Sequence, residues 1–502
     1  MASSTAQLKE KLQELEAKKQ AYGHAMGVMS YDASTVAPVG SAENRGRTMG
    51  VLSEVVYALE TGEETGSLLH ELDARRDELD AVTARSVAEQ LRSYEKTRRI
   101  PMEEYVGYTM LLTEADNLWH RAKETSDWAL FEPCLSKIVA FNRKYAGYLE
   151  PNKLPYDALL DEYERGLTMA DCDSFFGVLK ERLVPLIHKI SEKGSQPRAD
   201  FLHGSFPIEQ QKKLSDWLMS VMGIDRDYCA IGETEHPFTT NFSKKDVRIT
   251  THYYEEDPAN SMFSVIHEGG HALYELHTAD ALQGTCLANG VSMGIHESQS
   301  RFYENLLGRS SAFSALLLPK LQELFPGQMA GVTEEDLYRA INIAQPSLIR
   351  IEADELTYCL HIIIRYEIEK MLIQDGLDTK ELPAIWNEKV KEYLGLEVPD
   401  DRRGVLQDSH WSGGAIGYFP SYALGSAYGA QMLRCMQQQV DVDAAVRAGD
   451  FGPINAWLEE RIWKHGSMID PKPLLEACVG GPFDPTCYTD YLSEKFTRLY
   501  EL

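Results

Sequence analysis

No stretch of this 502-residue chain approaches the ~20 consecutive apolar residues that a membrane-spanning helix needs, although 43% of its residues are hydrophobic. The sequence therefore predicts a globular protein with a large core and no membrane partner. Cysteine is sparse: Cys134, Cys172, Cys229, Cys286, Cys359, Cys435, Cys478 and Cys487 are scattered without one C-x-x-C pair. That spacing argues against both a cysteine zinc site and a disulfide framework, so free, mostly buried thiols are expected. Basic residues are outnumbered, 50 Lys and Arg against 77 Asp and Glu, for a formal net charge of −27. Such a balance repels phosphate backbones and anionic lipid, and no basic cluster interrupts it, so no nucleic-acid partner is expected. The opening Met1-Ala-Ser-Ser-Thr-Ala-Gln-Leu lacks the apolar segment behind a basic start that a secretory signal carries, which makes the cytoplasm the expected location.

What the chain does have is amphipathic helix. Leu8, Leu12 and Leu15 recur at helical spacing among Glu, Lys and Gln, and similar stripes run through 43–60, 84–98, 101–123 and 127–148. Helical patterns resume at 171–194, 207–222, 258–278, 295–308, 333–345, 350–374, 379–395, 421–440 and 486–500. The predicted fold class is mainly α, a single helical body over 1–502 in which 1–165 forms a lid or flank and 166–502 the catalytic part. One region breaks the pattern. Between Pro237 and Tyr254 the chain is rich in Thr, Tyr, Val and Ile, with a polar turn at Ser243-Lys244-Lys245, which predicts a β-hairpin at about 237–254. Its free edge could hold an extended peptide by main-chain hydrogen bonds; equally, it could only cover the helical core.

Directly after the hairpin comes His267-Glu268-Gly269-Gly270-His271, an H-E-x-x-H arrangement. Histidines four apart lie on one helix face a turn apart, so both can reach one cation, and Glu268 projects beside them as a base rather than a ligand. Gly269 and Gly270 each cost about 1 kcal/mol of helix propensity. A helix here must be held by packing, and the glycine pair suggests that something approaches closely. Catalytic zinc keeps three protein ligands, and Glu275, His277, His296 and Glu297 follow as candidates for the third. Glu275 lies too far along the same straight helix to converge well. Glu297, on the next helical segment, is the better candidate, with His296 as the alternative. One divalent cation is implied; a His, His, Glu set suits zinc and also accepts cobalt.

Further motifs follow in order around this one: His236-Pro237-Phe238, Asp246-x-Arg248-x-Thr250, His296-Glu297-Ser298-Gln299, Ile349-Arg350-x-x-Ala353-Asp354 and Gly404-x-x-Gln407-Asp408-x-His410-Trp411. With them the chain resembles the carboxypeptidase Taq family of metallocarboxypeptidases over most of its length. The resemblance implies His267, His271 and Glu297 as metal ligands and Glu268 as catalytic acid and base. It also implies a mostly helical fold with a deep groove, a small sheet beside the metal, a homodimer, and removal of single residues from the C-termini of peptides.

An exopeptidase of that polarity must bind a free α-carboxylate, for which the planar fork of arginine is suited. Arg350 is the first candidate and Arg248 the second, although pairing with Asp354 or Asp246 would make either a brace. The carbonyl oxygen needs a hydrogen-bond donor as charge develops on it. His410 and a tyrosine of Gly417-Tyr418-Phe-Pro-Ser-Tyr422 can supply one. Similarity to other helical H-E-x-x-H peptidases, which place a histidine and a tyrosine about a dozen positions apart, favours Tyr422 and leaves Tyr418 to line the substrate site. His236 is expected to shape the pocket for the departing residue. Two other readings compete: an oligopeptidase or dipeptidyl carboxypeptidase with the same metal chemistry, and a non-catalytic helical scaffold.

Overall fold

The computed structural model describes residues 3–194 and 196–502, so that Met1 and Ala2 of the N-terminal stretch read above, and Ser195, lie outside it. The chain opens with α1 (Thr5–Thr35), α2 (Ala42–Thr61), α3 (Glu63–Asp73), α4 (Ala81–Arg99), α5 (Met102–Thr125) and α6 (Trp128–Leu149). A capping box starts α1: the Ser4 hydroxyl accepts from the Gln7 N–H while the Gln7 side chain accepts from the Ser4 N–H. Leu8 and Leu12 of α1, Leu69 and Leu72 of α3, and Val87 and Tyr94 of α4 form a small apolar core of their own. From Ala115 in α5 onward most buried apolar side chains belong to the main core. Helix α2 buries none of its residues.

Helices α7 (Pro155–Tyr163), α8 (Met169–Lys193) and α9 (Ile208–Met222) lead into β1 (Cys229–Glu233), β2 (Thr239–Ser243) and β3 (Asp246–Thr251). The strand order is β1-β3-β2, with β3 parallel to β1 and antiparallel to β2. The expected hairpin is thus β2 and β3. Strand β1 widens it to three strands; its Cys-Ala-Ile-Gly-Glu is too short and too mixed to show an alternating pattern. Val247 and Ile249 turn from β3 into the core.

The body is completed by α10 (Pro258–Leu276), α11 (Met293–Arg301), α12 (Ser311–Leu324), α13 (Glu334–Ala340), α14 (Tyr358–Lys370), α15 (Leu382–Leu394), α16 (Pro420–Met436), α17 (Val442–Ala448), α18 (Gly452–Arg461), α19 (Pro471–Val479) and α20 (Thr486–Tyr500). Helix α11 runs on through a π-helical turn, Phe302–Leu307. The sequence reading contains neither α12 nor α17–α19. Pro319 sits inside α12 and its Leu316-Leu317-Leu318 run blurs the helical period; α17–α19 are short and set between glycines and prolines. The pattern at 350–374 becomes a helix only from Tyr358, because residues 350–352 form a separate 3₁₀ turn.

Helices α10, α11 and α16 pack as one unit, and glycines set its spacing. A Cβ on Gly270 of α10 would lie 2.6 Å from the Gln299 carbonyl oxygen and 2.7 Å from the Ser300 Cα on α11. On the other side of α11, a Cβ on Gly425 of α16 would lie 2.6 Å from the Glu297 Cβ. Gly269 does the same for the end of α9, where a Cβ would meet the Met222 methyl at 2.7 Å. Substituting Gly270 by alanine restores about 1 kcal/mol of helix propensity but forces two backbones apart, and overpacking of this kind costs roughly 1–3 kcal/mol. The expected net result for Gly270→Ala is a lowered thermal unfolding midpoint; a raised midpoint would show that the close approach of α10 and α11 is not tight in solution.

Candidate active site

His267, Glu268 and His271 lie mid-way along α10, on the side that meets α11 and the sheet. The Nε2 atoms of His267 and His271 stand 3.7 and 3.6 Å from one oxygen, Oε2 of Glu297 on α11. Among the described residues this trio is the one group of His, Cys, Asp and Glu gathered tightly enough to hold a metal ion. The spacing fits a cation at the centre, since ligand atoms about 2.1 Å from a tetrahedral ion lie roughly 3.4 Å from one another. The donor set fits as well, because both outward-facing Nδ1 atoms are engaged elsewhere. His267 Nδ1 lies 2.8 Å from Glu304 Oε2, and His271 Nδ1 lies 2.8 Å from His296 Nδ1. Each imidazole therefore turns its Nε2 inward, as a ligand must.

The pocket favours positive charge. Burial alone would raise the Glu297 carboxyl, but Arg301 and the two imidazoles outweigh it and hold the group well below the usual carboxylate range. Arg301 donates from Nε to Glu297 Oε1 at 2.7 Å and from its terminal nitrogen to Glu304 Oε2 at 3.3 Å. Burial opposes a charged His267 too, yet the Glu297 and Glu304 carboxylates lift it to about 9. His271 goes the other way, down to about 4, because burial prevails over the pull of Glu297. Glu268 sits beside the trio with its carboxyl raised by burial, partly offset by His267 and by the Thr239 hydroxyl, which donates to Oε2 at 2.6 Å. A carboxyl so placed can take a proton and give it back.

A second cluster comes from the loop before α16. His410 Nε2 lies 3.3 Å from the Tyr422 hydroxyl, and the Tyr418 and Tyr422 rings meet edge to face at 5.0 Å. Burial, with Arg350 and Arg365 adding to it, takes His410 down to about 4 despite Asp408, so its ring is neutral near pH 7. Burial and then the neighbouring Tyr418 and Tyr358 push the Tyr422 phenol far up, so it keeps its proton as a donor. Arg350 is buried with its guanidinium 5.2 Å from the Tyr422 ring centre. Its ion-pair partner is Asp408, at 2.9 Å, and not Asp354. Asp354 is occupied at the start of the α14 segment, accepting from the backbone of Gln345, Leu356 and Thr357.

Other expected residues are not brought to this centre. Arg248 is forked onto Asp246 at 2.8 and 3.0 Å and lies between the Tyr31 and Phe242 rings, which is the brace arrangement. His236 is exposed on the loop between β1 and β2, and no hydrogen bond or ring contact ties it to the cluster among the described residues. The sequence reading omitted Glu304, Thr239, Arg301 and Arg365. Glu304 had a legible signal, since it follows Glu297 by two helical turns on one face; Thr239 had none, because its contact with Glu268 joins separate elements.

The carboxypeptidase Taq (M32) metallopeptidase family model matches residues 11–496. Carboxypeptidase 1 of Bacillus subtilis (strain 168) is 41% identical over 482 residues, covering 96% of this chain and 96% of its own. Thermostable carboxypeptidase 1 of Pyrococcus furiosus is 37% identical over 482 residues, covering 95% and 96%. The crystal structure of the M32 carboxypeptidase from Deinococcus radiodurans R1 superposes with a TM-score of 0.96 at 35% identity, over 99% of this chain and 100% of that one. A matching fold over the full length and a His-His-Glu centre on the expected helices lead to the same conclusion: the chain belongs to the carboxypeptidase Taq (M32) family of metallopeptidases.

Proposed function

We propose that this protein is a metal-dependent carboxypeptidase that removes single amino acids from the C-termini of peptides, with His267, His271 and Glu297 holding one divalent cation. Zinc suits two imidazoles and a carboxylate, and the same donors accept cobalt. The observation that carries the reading is the convergence of two inward Nε2 atoms on one Glu297 oxygen, with Glu268 alongside. When bound, such a cation supplies Lewis-acid polarisation of the carbonyl and lowers the pKa of water to about 7.

The remaining steps belong to the chain. Glu268 takes a proton from the attacking water, whose oxygen bonds to the carbonyl carbon of the last peptide bond. Tyr422, kept protonated and oriented by His410, donates to the carbonyl oxygen as negative charge grows there, and Tyr418 lines the same wall. Glu268 then passes its proton to the leaving nitrogen as the C–N bond breaks. Arg350 is assigned to the substrate α-carboxylate. Arg350 and Arg365 both bond to Asp408, so two buried guanidinium groups share one carboxylate and leave a surplus of positive charge. Buried charge of that kind is costly unless an anion completes it, and a free C-terminus is such an anion. The edge of β2 that pairs with no strand among the described residues is assigned to the peptide main chain. His236 and Arg248 remain candidates for the outer substrate contacts.

The N-terminal helices are assigned to the flank or lid of a groove, a reading supported by the separate small core of α1, α3 and α4. No helix among the described residues is long and apolar enough to cross a membrane. A cytoplasmic location is supported by eight cysteines that form no disulfide, and a homodimer is inferred from the family resemblance.

Three outcomes test this reading. Glu268→Gln is expected to retain the cation while kcat falls at least ~10²-fold; near-normal turnover removes Glu268 from the chemistry. His267→Ala is expected to lose the cation by elemental analysis of the purified protein, and stoichiometric retention counts against ligation. Amidating the C-terminus of a peptide is expected to lower kcat/KM roughly 10- to 100-fold, the loss of a hydrogen-bonded charge worth about 1.5–3 kcal/mol. Equal cleavage of free and amidated peptides would favour an oligopeptidase.

A further inference from the structure

The two histidines of the cation site are held from behind in different ways. His267 donates directly to a carboxylate, Glu304, whereas the Nδ1 of His271 meets another imidazole, His296, at 2.8 Å. His296 in turn lies 2.7 Å through Nε2 from Oε1 of Glu275, one turn beyond His271 on α10. Glu275 is fixed on both oxygens: Oε1 also accepts from the Gly290 N–H at 3.1 Å, and Oε2 from the Asn241 amide of β2 at 2.8 Å. The His296 ring is clamped as well. It packs 4.8 Å from His271 and 5.1 Å from Tyr274, and a Cβ on Gly290 would fall 2.5 Å from its Cδ2.

Only one arrangement of protons satisfies this row. If His271 offers the Nε2 lone pair to a cation, its Nδ1 carries the hydrogen and donates to His296 Nδ1. His296 then bears its own hydrogen on Nε2 and donates it to Glu275, so the carboxylate at the far end dictates the tautomer of both rings. We propose that Glu275, acting through His296 and held by Asn241, is a positioning residue that fixes the ring orientation and tautomer with which His271 binds the cation. Glu275 is thus not a ligand itself but an outer support, two links from the ion. The inference rests on the cation site described under the proposed function, and its test separates the two.

Zinc-loaded holoenzyme is placed in excess chelator and release of the metal is timed. In Glu275→Gln the amide oxygen can still accept from His296 and Gly290, but its NH₂ faces the Asn241 NH₂ and the charge is gone. Release is expected to quicken roughly 10- to 100-fold, the range typical of lost outer contacts at metal sites. In the double variant Asn241→Asp with Glu275→Gln the two groups exchange roles, the new amide donating to the new carboxylate while the exposed Asn289 amide turns its NH₂ toward it, and the rate is expected to come back toward that of the parent. A parental release rate in folded Glu275→Gln overturns the proposal, as does a lowered thermal midpoint in chelator with release unmoved, which is what a merely structural carboxylate would give. Where Glu275→Gln does not fold, Asn241→Ala removes the donor to Oε2 together with its 3.0 Å bond to Asn289 Oδ1, and Asn289→Ala, run beside it, removes only the latter; an acceleration confined to Asn241→Ala supports the relay, whereas a parental rate there, or an equal acceleration in both, overturns it. His271→Ala is run alongside. Loss of its cation with parental release in Glu275→Gln overturns the relay alone, whereas stoichiometric retention by His271→Ala overturns the cation site and the relay with it.

Discussion

The chemistry of this protein depends on two helices touching backbone to backbone. At Gly270 there is room for α11 only because no Cβ projects from α10, and at Gly425 the same holds for α16 against Glu297. A ligand carboxylate has a short side chain, so its distance from two imidazoles on another helix is set by the distance between the helix axes. Ordinary helix pairs stand about 8–10 Å apart; a glycine at the crossing permits the closer range. Gly269 and Gly270 of α10 together give up about 2 kcal/mol of helix propensity. Burial of α10 on nearly every side offsets it, with Val265, Ile266, Ala272 and Leu273 all in the core.

Charge is arranged along the site as deliberately as distance. The cation centre is rich in carboxylates, with Glu297 and Glu304 ionised against Arg301 and Glu268 beside them. Beyond Tyr422 the balance shifts to guanidinium, where Arg350 and Arg365 converge on Asp408. On the proposed reading, a peptide whose last carbonyl meets the first region and whose terminal carboxylate meets the second is oriented by that shift before any specific side-chain contact forms. In a chain of net charge −27 the positive pole is buried, where water and salt screen it least. Net charge alone says nothing of this local arrangement.

The helical body and the two histidines were legible because they are periodic: α10 carries His267 and His271 one turn apart, and the stripes of α4 to α6 repeat at helical spacing. Glu297 was legible as a carboxylate opening the next helix. The family motifs carried the remainder of the site, including Arg350 and Asp408, though the sequence did not disclose that these two would pair. What stayed hidden was contact between distant elements. Thr239 and Glu268 lie 29 positions apart, and Arg365 and Asp408 lie 43 apart; neither pair leaves a local pattern. Helix α12 was hidden for the opposite reason, since Leu316 to Leu318 are apolar in succession and no single face stands out.

Strand β2 shows how much such hidden contacts accomplish. It is an edge strand of five residues, and alternation puts Thr239 and Asn241 on the same face. That face lies against α10. Thr239 reaches Glu268 and Asn241 reaches Glu275, so one short strand braces Glu268 and Glu275 together. The pairing with β3 slips between Asn241 and Ser243, and irregularities of this kind re-aim side chains beside active sites. Among the described residues no strand pairs with the opposite edge of β2. On the proposed reading, a peptide that adds to this edge presses on the same backbone that holds Glu268 and Glu275 in place, which would join substrate alignment and the readiness of Glu268 within a single element.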